Sequence, residues 1–208
     1  MWEIVRAGGP LMWPIILCSV IALGIVVERM WTLQAPRVMP PGLLQKVWQL
    51  VEAGQVTDKV IAALEQNSPL GRVLAAGLAS RHRPRAVMME RLEDTGRHVV
   101  HELERFLNTL GTIAAVSPLL GLLGTVWGLI EAFATVATKN ALGRPELLAS
   151  GVYQALVTTA AGLSIAIPAV IAYYHFKSRI EDFSRGVEHL YGEIDPLLVP
   201  REVSHAGA

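Results

Sequence analysis

Charge is scarce in this 208-residue chain, at 17% of residues, and three long runs carry none. A soluble domain usually has about a quarter charged residues. So uneven a deficit argues against a soluble globule and for a multi-span membrane protein. Cysteine is reduced to Cys18, which excludes an intrachain disulfide and reads as a small apolar residue in a membrane helix. Basic and acidic residues balance at 18 each, so overall charge gives no reason to expect a nucleic-acid partner, and none is expected. A Gly-rich phosphate loop is missing too, because Gly121-Leu-Leu-Gly124 lacks the following Lys and lies in an apolar run. The six histidines show no metal spacing, and His98 and His101 fall on a charged, solvated helix. No nucleophile–base constellation is readable, so neither an enzyme nor a cofactor is expected.

What the chain does have is apolar length. Ala7–Val27 holds no charge and, at about 1.5 Å per residue, is roughly 32 Å long, enough to cross the hydrocarbon core. Trp2, Trp13 and Trp31 flank it like an interface belt, and Pro10 and Pro14 fall in its first turns, where Pro does least harm. The run is too long for a signal peptide and no A-x-A-like site follows, so it reads as a retained span. Phe106–Ile130 and Leu147–Phe176 are the second and third runs. The third, at about 45 Å, must tilt or project beyond the bilayer. Arg29, Arg37 and Lys46 follow the first span and Lys177, Arg179 and Arg185 the third. The positive-inside rule then places the N-terminus outside and the C-terminus in the cytoplasm.

The expected organisation is a first span over 1–33, a cytoplasmic helical region and stalk over 34–105, a second span over 106–138, an external loop over 139–146, a third span over 147–177 and a cytoplasmic helix and tail over 178–208. Pro36, Pro40, Pro41 and Gly42 make an elbow after the first span. Short helices follow over Leu43–Ala53, from Thr57-Asp58-Lys59 toward Gln66, and from Ser68-Pro69 to about Ser80, and Arg81–Arg85 is a basic turn. From Ala86 an apolar periodicity runs into the second span without a breaker, predicting one continuous helix to about Thr138. The last helix should stop near Pro196.

The second and third spans are rich in small and hydroxylated residues. Gly121, Gly124 and Gly128 are spaced for close helix approach. Such a face either packs within one subunit or builds an oligomer, and three spans can hardly enclose a pore, which favours the oligomer. Thr125 and Thr159 could bond their own helix or line a polar path. Pro118 and Pro168 each remove a helix hydrogen bond and should bend their spans. Glu131 lies at the interface or at a pore mouth that attracts cations, and Gln154 faces a neighbouring helix or a pore. No Asp, Glu, Lys, Arg or His lies deep in any span. A proton path generally needs an ionisable group near mid-depth, so if protons move, the titrating group comes from another chain.

Ser117-Pro-Leu-Leu-Gly-Leu-Leu-Gly-Thr-Val-Trp-Gly128, continuing to Phe133, resembles the second-span motif of the ExbB/TolQ/MotA ion-channel family. Gly151-Val-Tyr-Gln-Ala-Leu-Val-Thr-Thr-Ala-Ala-Gly-Leu-Ser-Ile-Ala-Ile-Pro168-Ala-Val170 resembles the third-span motif of its ExbB/TolQ branch. The MotA branch has four spans, whereas three are read here. The resemblance implies an all-α, three-span protein with long helices extending into the cytoplasm, assembled as a ring-shaped homo-oligomer, usually a pentamer. Its central pore would hold single-span helices of an ExbD/TolR-like partner whose membrane Asp carries the proton, with a TonB/TolA-like protein beyond. By motif position Thr125 and Thr159 correspond to the family's pore-lining threonines. Gln154 stands where many ExbB and TolQ proteins carry Glu, and Glu131 where some relatives have a neutral polar residue.

The expected function is therefore the channel-forming stator subunit of a motor in the bacterial inner membrane. It would be driven by the proton-motive force and energise a periplasmic or outer-membrane process. The alternatives are a non-conducting oligomeric scaffold and a sodium-driven motor subunit.

Overall fold

The computed structural model describes residues 8–138 and 145–198. Its elements among those residues are all helices: α1 (Met12–Thr32), α2 (Ala35–Val38), α3 (Leu43–Glu52), α4 (Asp58–Asn67), α5 (Pro69–Ala79), α6 (Arg85–Glu104), α7 (Leu107–Thr138) and α8 (Pro145–Leu198). Three helical segments are long and apolar enough to cross a membrane: α1, the α6–α7 segment and α8. The chain divides into two compact units, residues 1–29 with 106–175 and residues 30–105 with 176–208.

The first unit contains the apolar runs. One stripe of α1 is buried, at Met12, Ile15, Ala22 and Arg29, while Trp13, Leu17, Val20, Leu23 and Val27 are exposed. A helix apolar all round but buried along one stripe suits a span with lipid on its other faces. At its far end the guanidinium of Arg29, buried to 3% exposure, lies 5.1 Å from the ring centre of Phe106 and 3.0 Å from a Glu28 carboxylate oxygen. Burying an Arg is tolerable because its charge is met by both a carboxylate and an aromatic face.

The second unit is built around α5, whose Leu70, Gly71, Val73, Leu74, Ala75, Gly77 and Leu78 are all buried. Ser68 caps it by accepting a 3.0 Å hydrogen bond from the Gly71 amide, and Pro69 occupies its first turn. Gly71 is required there, because a Cβ would collide with the carbonyl oxygen of Leu64 on α4. From α6, Met88, Leu92, Gly96, Val99 and Leu103 are buried at heptad-like spacing. Ile180, Phe183, Val187 and Leu190 of α8 bury the same kind of stripe. Arg72 joins α5 to α6 by donating twice, at 2.6 and 2.7 Å, to one carboxylate oxygen of Glu102.

The structure refines the expected helix pattern. The helix expected to run unbroken from Ala86 is interrupted by a two-residue turn at Arg105–Phe106. There the Arg105 amide bonds to Glu102 three residues back rather than four, a hydrogen-bond shift that needs neither Gly nor Pro. The elbow contains the single turn α2, with Pro36 in its first positions. α8 is described to Leu198, within two residues of the stop expected near Pro196. The expected external loop lies largely outside the described residues, and α8 begins already at Pro145.

Candidate functional site

The α7–α8 pair in the first unit brings the two motif stretches together. The pair is antiparallel, as successive contacts show. Gly111 meets Tyr173, Ser117 meets Gly162, Gly121 meets Thr159, Gly128 meets Ala155, and Ala132 meets Gly151. These contacts span residues 111–132 of one helix, roughly 32 Å at the α-helical rise, which is the thickness of a hydrocarbon core.

Glycine makes the approach possible. A Cβ on Gly121 would lie 3.0 Å from the Thr159 Cα, and one on Gly162 would lie 2.5 Å from the Ser117 carbonyl oxygen. A Cβ on Gly124 would lie 2.6 Å from both Thr158 Cβ and Thr158 Oγ1, and one on Gly128 3.1 Å from the Ala155 Cβ. Gly121, Gly124 and Gly128 are thus occupied by contacts inside one chain. A further copy would have to use other faces, where Leu119, Leu122, Val126, Ile130, Leu156, Ile167 and Ile171 are exposed.

The hydroxyls have specific partners. Thr125, half-buried, donates a 2.6 Å hydrogen bond to the Leu122 carbonyl of its own helix. Thr159, also half-buried, donates at 2.9 Å across the pair to the carbonyl of Gly121. Thr158, 1% exposed, shares its proton between Gln154 O at 2.9 Å and Ala155 O at 3.0 Å. Ser164 donates to Ala160 O at 2.8 Å. Ser117, fully buried, is the exception, with no hydrogen-bond partner for its Oγ. The next residue, Pro118, lies inside α7, and Pro168 lies inside α8. Each lacks the amide that would bond four residues back, so the Ala114 and Ser164 carbonyls lose their usual partners.

Gln154 is half-buried and its amide nitrogen packs against Gly9, in the turn before α1, where a side chain at residue 9 would stand. Gly9 has φ +68°, so glycine serves there for backbone reasons as well. Glu131 is exposed, and its carbonyl accepts a 2.8 Å bond from Thr135. The geometry therefore brings Thr159 and Gly121 together, with Gly124 and Gly128 in the same seam. Gln154 is turned to the N-terminal turn and Glu131 lies on an exposed face. Sequence reasoning counts Thr158 among the third span's hydroxyls but gives it no role, although it is the hydroxyl most deeply buried against Gly124. Its neighbour Thr159 carries the motif resemblance, and only the helix phase separates the two. Arg29 over Phe106 was also missed, since nothing in the sequence pairs two residues so far apart. Among the described residues no His, Cys, Asp and Glu cluster could hold a metal.

Three membrane-length helices, two of them closed on small residues along their full depth, define a multi-pass helical membrane protein. The chain belongs to the MotA/TolQ/ExbB proton channel family, whose profile matches residues 65–189, and within it to the ExbB/TolQ branch. It is 34% identical over 167 residues to biopolymer transport protein exbB1 of Vibrio cholerae, covering 78% of this chain and 72% of that protein. It is 33% identical over 168 residues to an ExbB-like biopolymer transport protein of Synechocystis, covering 80% of this chain and 66% of the relative. Over 80 residues it is 45% identical to the Tol-Pal system protein TolQ of Pseudomonas aeruginosa, covering 38% and 34% of the two chains. The chain thus spans about two thirds of the length of the first two relatives, at 72% and 66%.

Proposed function

We propose that this chain is the channel-forming stator subunit of a proton-motive-force-driven complex in the bacterial inner membrane. Several copies surround single-span helices of an ExbD/TolR-like partner, and the assembly, a pentamer by family resemblance, energises a periplasmic or outer-membrane process. A TonB/TolA-like protein is the further partner of such a complex. In this reading the N-terminus lies in the periplasm and the C-terminus in the cytoplasm, which the basic flanks support. One observation carries the reading. The α7–α8 pair holds half-buried hydroxyls, Thr125 and Thr159, in spans without an ionisable residue at mid-depth. Proton passage at that depth needs a carboxyl, which a second chain would bring. Glu131, exposed toward the outer end of α7, would attract cations to the mouth of the path.

The test is coexpression with a single-span partner and measurement of proton flux into vesicles. Flux is expected to require both chains and to fall when Thr125 and Thr159 are both replaced by Val. Undiminished flux in the double variant would exclude the role assigned to them. Replacing sodium in the same assay separates a sodium-driven subunit, and flux absent under all conditions would favour the scaffold.

A further inference from the structure

In the second unit a cavity of about 100 Å³ lies where the elbow after α1 meets α8. Its wall is apolar, built from Leu33, Val38 and Met39 of the elbow, Leu103 of α6, and Ile180 and Phe183 of α8. Met39 fastens the elbow to α8, because its Cε and Sδ occupy the space that a Cβ on Gly186 would need. Two charged side chains stand at the cavity, Arg179 and Asp182. Asp182 is already committed, accepting a hydrogen bond from Arg185. Arg179 has no ion pair among the described residues. The cavity therefore presents an unbalanced guanidinium beside an apolar wall. A second cation, Arg37, sits on the elbow itself, its guanidinium 4.9 Å from the ring centre of Trp31. Trp31 is 64% exposed, as suits an interface tryptophan.

Each contributor to the wall comes from chain just beyond an apolar run. At the α-helical rise Leu33 is about 9 Å past Val27, Arg179 about 4.5 Å past Phe176, and Leu103 about 4.5 Å before Phe106. The headgroup layer is roughly 5–8 Å deep on each side of the hydrocarbon core. Three separate segments thus reach the cavity at about headgroup level. We propose that this cavity is a binding site for an anionic phospholipid of the leaflet on the side of the basic flanks. The lipid phosphate meets the Arg179 guanidinium, whose planar fork matches phosphate oxygens. The apolar wall takes the first carbons of one chain. An engineered cavity of about 150 Å³ admits a benzene, so this one holds a few carbons and leaves the rest of the lipid in the bilayer. A zwitterionic lipid would bring its ammonium toward Arg179 and Arg37, whereas an anionic one brings no opposing charge. Free phosphate would leave the apolar wall unused. The proposal stands whether or not the chain conducts protons.

The experiment purifies the full chain in mild detergent and titrates it with phosphatidylglycerol, phosphatidylethanolamine or inorganic phosphate, counting bound molecules by native mass spectrometry. Phosphatidylglycerol should bind roughly tenfold more tightly than phosphatidylethanolamine. Arg179→Gln removes a charge-assisted hydrogen bond and should weaken phosphatidylglycerol by about tenfold or more, erasing that preference. Ala35→Phe places a ring in the cavity and should weaken the lipid while Arg179 stays in place. Ala35 and Arg179 are both exposed, so neither substitution opens the core. Lys177→Gln removes a nearby cation that already faces Glu181 at 4.0 Å and should change binding less than about twofold. Equal losses in Arg179→Gln and Lys177→Gln would reduce the effect to bulk charge and overturn the proposal. Equal binding of the two lipids overturns it as well. Inorganic phosphate that displaces the lipid, or lipid binding untouched by Ala35→Phe, would reveal a plain anion site in place of a lipid site.

Discussion

Thr159 donates its hydroxyl hydrogen bond, at 2.9 Å, to the carbonyl oxygen of Gly121 on the preceding span rather than to its own helix. The bond is possible because Gly121 lets the helices approach until a Cβ there would lie 3.0 Å from the Thr159 Cα. Interhelical hydrogen bonds in membranes contribute about 0.6 kcal/mol on average, because the separated helices also find partners. Thr159→Val should therefore destabilise the purified chain by about that amount in a detergent unfolding titration, and Thr159→Ser should restore most of it. A Val variant as stable as wild type would mean the bond contributes nothing to holding the spans.

Two glycines in different spans should respond in opposite ways to the same substitution. At Gly124 an added Cβ would lie 2.6 Å from Thr158, inside a tightly packed seam. Gly124→Ala should cost about 1–3 kcal/mol, the usual penalty for overpacking. At Gly24, inside α1, a Cβ meets nothing within 4 Å. Gly24→Ala should be neutral or stabilising by up to about 1 kcal/mol, since Gly is the poorer helix former. Thermal melting of both variants in one detergent compares them directly, and equal shifts would contradict the packing described.

Three apolar runs and the glycine spacing were legible because membrane helices write their length and their close contacts into composition. Ser68-Pro69 announced the start of α5 because capping chemistry is local. The turn at Arg105–Phe106 was not legible, since a hydrogen-bond shift inside α-helical backbone leaves no residue signature. Nor did the sequence say which of two adjacent threonines faces the seam. One residue is about 100° of helix phase, enough to put Thr158 against Gly124 and leave Thr159 reaching for Gly121. Gln154 kept two readings open, and its packing against Gly9 is a contact between residues that no periodicity links.

Arg29 over Phe106 makes a separate case for tertiary placement. A largely desolvated cation–π contact is worth about 2 kcal/mol. Phe106→Leu keeps the apolar bulk and removes the ring face, so it should destabilise by roughly 1–2 kcal/mol in the same unfolding titration. Arg29→Ala removes the buried charge and its stacking together. That variant leaves Glu28 without its 3.0 Å partner, yet Glu28 is exposed and regains water. A double-mutant cycle over Arg29 and Phe106 isolates the pair, and a coupling near zero would mean the ring merely fills space.

In the second unit Tyr191 ties the end of α8 to α6. Its hydroxyl donates a 3.0 Å bond to the Leu92 carbonyl, and its ring tip stands where a side chain on Gly96 would be. The phenol is pushed up to about 12, first by burial, then by the nearby Glu93 and Glu188 carboxylates, with Arg97 opposing. The folded value lies above the ordinary value of 10.0, so the docked phenol contributes its full stability below pH 10. That contribution is lost as pH rises through about 12. Phenolate absorbance of the whole chain, minus that of Tyr191→Phe, should isolate this late-titrating group among the four tyrosines. Tyr191→Phe should also cost about 1 kcal/mol at neutral pH through the lost hydrogen bond, and it should flatten the decline in melting temperature across the alkaline window. A difference spectrum that titrates near 10 would place Tyr191 in water and undo the link between α8 and α6.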